Sequence, residues 1–152
     1  MYRHLCFVGL ALVTTVVSRV AATGDIAALT VDQRVKAEEA IERVYWSHRI
    51  WPKDNPGPKP DFKAVMPESL LRERVENVLK GSAALEQFWN QPVTPEQLQA
   101  ELGRIARDTR RPAVLEEIFR SLGDDPTVIA ETLARSSLTR AAAPSTRNMD
   151  SS

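Results

Sequence analysis

Between Pro92 and Arg135 the chain carries three residue pairs that can open a helix: Thr94-Pro95, Arg111-Pro112 and Asp125-Pro126. Proline suits the first helical position because the N–H it lacks would have had no intrahelical partner there. Behind each proline comes an apolar pattern of helical period. The residues are Leu98, Leu102, Ile105 and Ala106, then Leu115, Ile118, Phe119 and Leu122, then Val128, Ile129 and Leu133. Three amphipathic helices that follow one another this closely must bury their faces against each other or against the rest of the chain. Strand signals are nearly absent, and the ten prolines lie between the apolar-periodic runs. The fold class expected is all-α, a small multi-helix bundle.

The first residues read differently. Arg3 and His4 precede an apolar run from Leu5 to Val17, and Val20-Ala21-Ala22 supplies the small residues a signal peptidase reads. Residues 1–22 are therefore read as a removable signal peptide cleaved after Ala22. The run is shorter than the roughly 18 apolar residues a membrane span needs and is followed closely by Arg19, so no stable membrane anchor is expected after cleavage. Cleavage takes Arg3 and Arg19 with it and leaves 18 basic against 20 acidic side chains, a net charge of about −2. The only cysteine, Cys6, and His4 go too. A mature chain without cysteine depends on helix packing rather than disulfides, and mixed charge near neutrality argues against nucleic acid as a partner. The expected location is periplasmic or secreted.

Residues 23–29 read as a flexible leader and 30–140 as the helical domain. Thr30 with Gln33 forms a capping box, and a helix to about Arg49 follows with Val35, Ile41, Val44, Tyr45 and His48 near one face. Glu39 and Arg43 have the acid-first spacing of a surface pair. A Pro-rich loop comes next, with Pro52, Pro56, Pro58 and Pro60 excluding helix. A longer helical segment starts near Pro67 and carries Leu70, Leu71, Val75, Val78 and Leu79 on one side. Gly81-Ser82 is a place where it can kink or divide, with Ala84, Leu85, Phe88 and Trp89 continuing the apolar surface beyond. After Leu133 the pattern fades, and residues 141–152 are expected to be a disordered tail.

Candidate sites follow from side-chain chemistry. Tyr45, Trp46 and Trp51 flank the Pro-rich loop, and Phe88 and Trp89 end the long helical segment. These aromatics can form a platform for a peptide or glycan, or the prolines can fold back on the rings of the first group and close the end of the bundle; the second is preferred for those rings. Arg104, Arg107, Arg110 and Arg111 form a basic stripe whose default reading is a solvated helix end and whose functional reading is contact with an acidic polypeptide. His48 has no cysteine or second mature histidine to join in a metal site, and no serine lies in a nucleophile motif, so neither metal, cofactor nor enzymatic activity is expected. Glu116 with Arg120, and Glu131 with Arg135, read as surface pairs, and Asp124-Asp125 as acids at a helix start.

The stretch Val93-Thr94-Pro95-Glu96-Gln97-Leu98-Gln99-Ala100-Glu101-Leu102-Gly103-Arg104-Ile105-Ala106, with Leu115-Glu116-Glu117-Ile118-Phe119 and Leu122-Gly123, resembles the helical N-terminal region of SurA-type periplasmic chaperones. The resemblance covers about 45 residues. It implies a helical module that holds unfolded polypeptide, without the prolyl isomerase domain that many members add. The segment from Ala40 to Pro52 also resembles the opening of larger exported bacterial proteins in which a helical head precedes a long body. Two functions are expected from these features. One is an exported, chaperone-like binding module for apolar or extended polypeptide; the other is a non-catalytic head of a larger exported protein.

Overall fold

Thr30 opens the first helix as its spacing implies. Its hydroxyl accepts from the Gln33 amide at 3.2 Å while the Gln33 side chain accepts from the Thr30 amide at 2.8 Å, so two donors left over at the helix start are satisfied. Helix α1 then runs Val31–Ser47, two residues short of the expected end. The structure, a computed structural model, describes residues 28–142; the stretch read as a signal peptide, most of the expected leader and nearly all of the expected tail lie outside them. Among the described residues the fold is all-α, as the sequence implies, and no helix is long and apolar enough to cross a membrane.

The loop after α1 holds no helix until Asp61 caps a single turn, α2 (Phe62–Val65), which seats the buried Phe62 ring beneath the Arg43 guanidinium at 4.5 Å. Helix α3 spans Glu68–Trp89 without interruption, so Gly81-Ser82 does not divide it. The glycine is there for a different reason. A Cβ at position 81 would lie 2.6 Å from the Thr139 methyl, and the neighbouring Ser82 hydroxyl is 3.0 Å from that of Thr139. Gly81 therefore lets the last helix approach the backbone of α3. Asn90 ends α3 in the left-handed conformation, with φ 51°.

The three proline starts all begin helices: α4 (Pro95–Asp108), α5 (Pro112–Ser121) and α6 (Pro126–Ile129). Thr94 and Gln97 form a second capping box, and Asp125 accepts from the amides of Thr127 and Val128. Arg111 makes no side-chain cap, so α5 starts on the proline alone. Gly123, at φ 72°, and Asp124, at φ 52°, turn the chain from α5 into α6.

The chain does not fade after Leu133. Helix α6 continues into a π-helical turn, Ala130–Ala134, and then α7 (Arg135–Ala142), so residues 141 and 142 are helix rather than tail. Ala134 and Thr139 are buried along this stretch. The apolar pattern stops because the packing residues become small.

Helix α1 is the common support. One side of it, Ala37, Ile41 and Val44, forms the main core with Val114, Ile118 and Leu122 of the α5 region and Ile129 of α6. Its Val35 packs on Leu71 and Val75 of α3 in a second cluster. Tyr45 and His48, placed on the buried face from sequence, lie at its exposed edge, because the Ile41 and Val44 side already fills the core.

The Gly81 contact gives a direct test. Gly81→Ala should lower stability by about 1–2 kcal/mol, because the clash outweighs a helix-propensity gain of about 1 kcal/mol. In a Thr139→Ser background, which keeps the hydroxyl and deletes the methyl, the same change should become neutral or stabilising. Urea midpoints of the four variants check this; an equal effect in both backgrounds would mean that α7 does not press on position 81.

Candidate functional site

The spacing of Arg34, Glu38, Glu42 and Tyr45, by four, four and three residues, places a polar stripe along α1 beside its two apolar faces. This stripe faces α3 on one side and the π turn with α7 on the other. A cavity of about 220 Å3 lies between them, lined by Arg34, Glu38, Arg74, Glu131, Ser136 and Arg140 among others. A second cavity of about 310 Å3 continues along α3 and α7 and is mostly apolar, with Val78, Gly81, Ala84, Leu85 and Trp89 in its walls. The two share Asn77, Val78, Ser136 and Arg140, so they form one cleft with a charged half and an apolar half.

The charged half is anchored by Arg34. Its side chain is 9% exposed, and it donates to the Glu131 carboxylate at 2.6 Å, to the Glu131 carbonyl at 2.6 Å and to the Leu29 carbonyl at 3.2 Å. Arg135 donates to both oxygens of the Glu131 carboxylate, at 2.9 and 3.0 Å, and shares Oε2 with Arg34. The expected surface pair of Glu131 and Arg135 is thus a half-buried arginine clamp that also takes in α1. Burial pulls the Glu131 carboxyl upward, but the bonds from Arg135 and Arg34 outweigh it and leave the group below its ordinary value. Glu38 goes the other way: burial and the nearby Glu42 raise it, against the opposing pull of Arg74 and Arg140. Burial likewise raises the Tyr45 phenol, with Glu42 and Glu38 adding to it.

Arg74 is held by Glu42 at 2.8 Å. Arg140, by contrast, has no ion pair among the described residues, although it lines both halves of the cleft.

The aromatic candidates fall into two separate groups. Trp46 and Trp51 meet at 6.5 Å between ring centroids, and the Lys59 ammonium sits 4.9 Å from the Trp46 ring. Lys59 also donates to the carbonyls of Trp46 and Arg49, and the Trp51 ring nitrogen donates to the Gly57 carbonyl. The Pro-rich loop folds back on these rings and sets a lysine over that of Trp46. Phe88 and Trp89 remain 70% and 56% exposed in an edge-to-face pair at the far end of α3. That end lies about 30 Å from the α3 start, where Met66 packs near Tyr45 and Trp46. The structure therefore does not join the five residues into one platform. Trp89 belongs to the apolar half of the cleft; Tyr45 lines other hollows beside α1.

The basic stripe is exposed along its length, with Arg104 paired to acids of its own helix. Arg104 is bound by the buried Glu101 at 2.6 and 2.8 Å, which Ser137 of α7 also engages. The Arg104 bond holds Glu101 below the ordinary carboxylate range. The link from α4 to α7 is thus the Glu101–Ser137 bond, and Arg104 is exposed like Arg107, Arg110 and Arg111. Arg120 reaches the Glu116 carbonyl at 3.4 Å rather than its carboxylate. His48 caps the end of α1 and its ring nitrogen meets Glu117 at 2.6 Å, away from the cleft. Among the described residues no group of three or more metal-ligating side chains is placed to hold an ion.

Sequence reasoning named Trp89 but missed the cleft. Its other residues sit on helices whose pairing sequence did not reveal; the signal available was the run of small residues around Gly81 and after Leu133. In comparisons with known proteins, no family model, curated protein or solved structure matches this chain.

The clamp sets a pH test. Glu131→Gln should lower stability by about 3 kcal/mol near neutrality, because Arg34 stays buried without its anion. Glu131 is depressed in the fold, so its contribution is complete above the ordinary value of about 4.3 and is lost as pH falls through the depressed one. The variant and wild type should therefore converge in acid. Glu38→Gln should show the reverse, with no loss or a gain at neutral pH that disappears as pH falls through its raised value. Urea unfolding between neutral pH and about pH 3 reads both; a constant gap for Glu131→Gln would discount the clamp.

Proposed function

We propose that the protein is an exported, non-catalytic helical binding module that holds an apolar segment of polypeptide in the groove between α3 and α7. The observation that carries this reading is the apolar half of the cleft, about 310 Å3 and bordered by the exposed Trp89. An open groove between two helices, with an aromatic side chain at its edge, is suited to side chains presented in succession by a partner chain. Export rests on the signal peptide read in residues 1–22. The likeness of the α4 and α5 sequences to SurA-type chaperones points the same way, although the groove itself lies outside that stretch.

Contact rather than chemistry fits the charged half of the cleft. Glu131 is committed to two arginines and Glu42 to Arg74, which leaves Glu38 without a second free carboxylate or a nucleophile-base pair opposite it. The alternative, a non-catalytic head that docks onto the body of a larger exported protein, is favoured by the exposure of Phe88 and Trp89 at the tip of α3.

A chemically denatured polypeptide with blocked cysteines, which cannot refold, is a suitable probe. It should bind with micromolar affinity, shift Trp89 emission to the blue in a Trp46→Phe, Trp51→Phe background, and aggregate less at several-fold excess of this protein. Leu85→Glu and the groove-filling Ala84→Leu should each weaken binding about tenfold while circular dichroism stays unchanged. Undiminished binding by both variants would remove the groove from the reading. No binding and no protection by the wild type would favour the structural-head alternative.

A further inference from the structure

The apolar groove does not end in an apolar wall. At its inner end it opens through Asn77, Ser136 and Arg140 into the charged half of the cleft. Three guanidinium groups line that half, and two are already matched: Arg34 by Glu131 at 2.6 Å and Arg74 by Glu42 at 2.8 Å. Arg140 is the third and is exposed, with no ion pair among the described residues. Glu38, Glu42 and Tyr45 from α1, Arg74 from α3 and the paired Arg34 and Glu131 are the titratable groups that share its hollows. Glu38 is not within ion-pair distance of it and makes no side-chain hydrogen bond among the described residues.

Resting on the binding function proposed above, we infer that the groove selects an extended polypeptide segment in which a short apolar run is followed by an aspartate or glutamate, the apolar side chains lying against Val78, Ala84, Leu85 and Trp89 and the carboxylate on Arg140. Length sets the size of the run. From Asn77 to Trp89, α3 extends about 18 Å, enough for about five residues of extended chain. Charge sets the flanking residue. An unmatched guanidinium beside the donors Asn77 and Ser136 takes a planar carboxylate better than any neutral side chain. The occupant is an internal segment rather than a chain terminus, because the cleft continues past Arg140 into the charged cavity and leaves room for the chain to go on.

Two capped peptides test this: five apolar residues of mixed leucine, valine and phenylalanine followed by aspartate, and the same sequence with asparagine, each flanked by serine and glycine for solubility. Fluorescence anisotropy at low salt should show about a fivefold preference for the aspartate peptide, fading toward parity in about 0.5 M salt. Arg140→Gln should abolish the preference while leaving asparagine-peptide binding unchanged. Glu38→Gln, which removes a competing carboxylate, should increase the preference, and Arg107→Gln on exposed α4 should leave it as it was. Equal affinity of the two peptides for the wild type would overturn the inference and leave the groove as a polypeptide site, as would a preference that survives Arg140→Gln. Binding of neither peptide would overturn both the inference and the function on which it rests.

Discussion

Arg34 is the residue on which the assembly of this bundle turns. It lies one turn into α1, yet its guanidinium is satisfied by a carboxylate and a carbonyl 97 positions later and by the Leu29 carbonyl just upstream. A buried guanidinium carries a desolvation cost that only well-placed acceptors offset, so the bond is a geometric requirement more than a source of net stability. Meeting it fixes where the π turn lies against α1. That in turn fixes the helical stretch that follows.

The π turn has a role in this placement. Thr132 returns its hydroxyl to the Val128 carbonyl at 2.7 Å, and the widened turn accommodates buried Thr132 and Ala134 while Glu131 remains between two arginines. Helix α7 emerges alongside α3, where Gly81 admits Thr139 to near contact. Beyond that level the described part of α7 and the more distal part of α3, from Ala84 to Trp89, border an open hollow. The groove is the space between them. Its apolar lining and its charged neighbour are thus two consequences of one anchored crossing.

Fastenings elsewhere have the same logic. Glu101 on α4 is buried under Arg104 and also accepts from Ser137, so an acid that looks like part of a solvated helix joins α4 to α7. Lys59 crosses back to two carbonyls at the end of α1 and closes over Trp46, turning a proline-rich loop into a lid on the bundle end. In each case a charged side chain is used for positioning, whereas Arg140, inside the cleft, has no such fastening among the described residues.

Much of the helix layout was written locally. Capping boxes at Thr30 and Thr94, prolines at three helix starts, and an apolar period in α1, α3, α4 and α5 depend on interactions within a few residues, which is why the sequence alone determined the all-α class and most of the helix starts. It did not determine the end of the bundle. Ala134, Ser136, Thr139 and Gly81 carry little hydrophobic signal, because small residues contribute by letting backbones approach and not by the area they bury. Nor could spacing tell that Glu131 faces Arg34 as well as Arg135, or that Trp51 and Trp89 lie at different ends of the molecule. Those relations join distant parts of the chain, and only the tertiary structure, by choosing which helix faces meet, decided them.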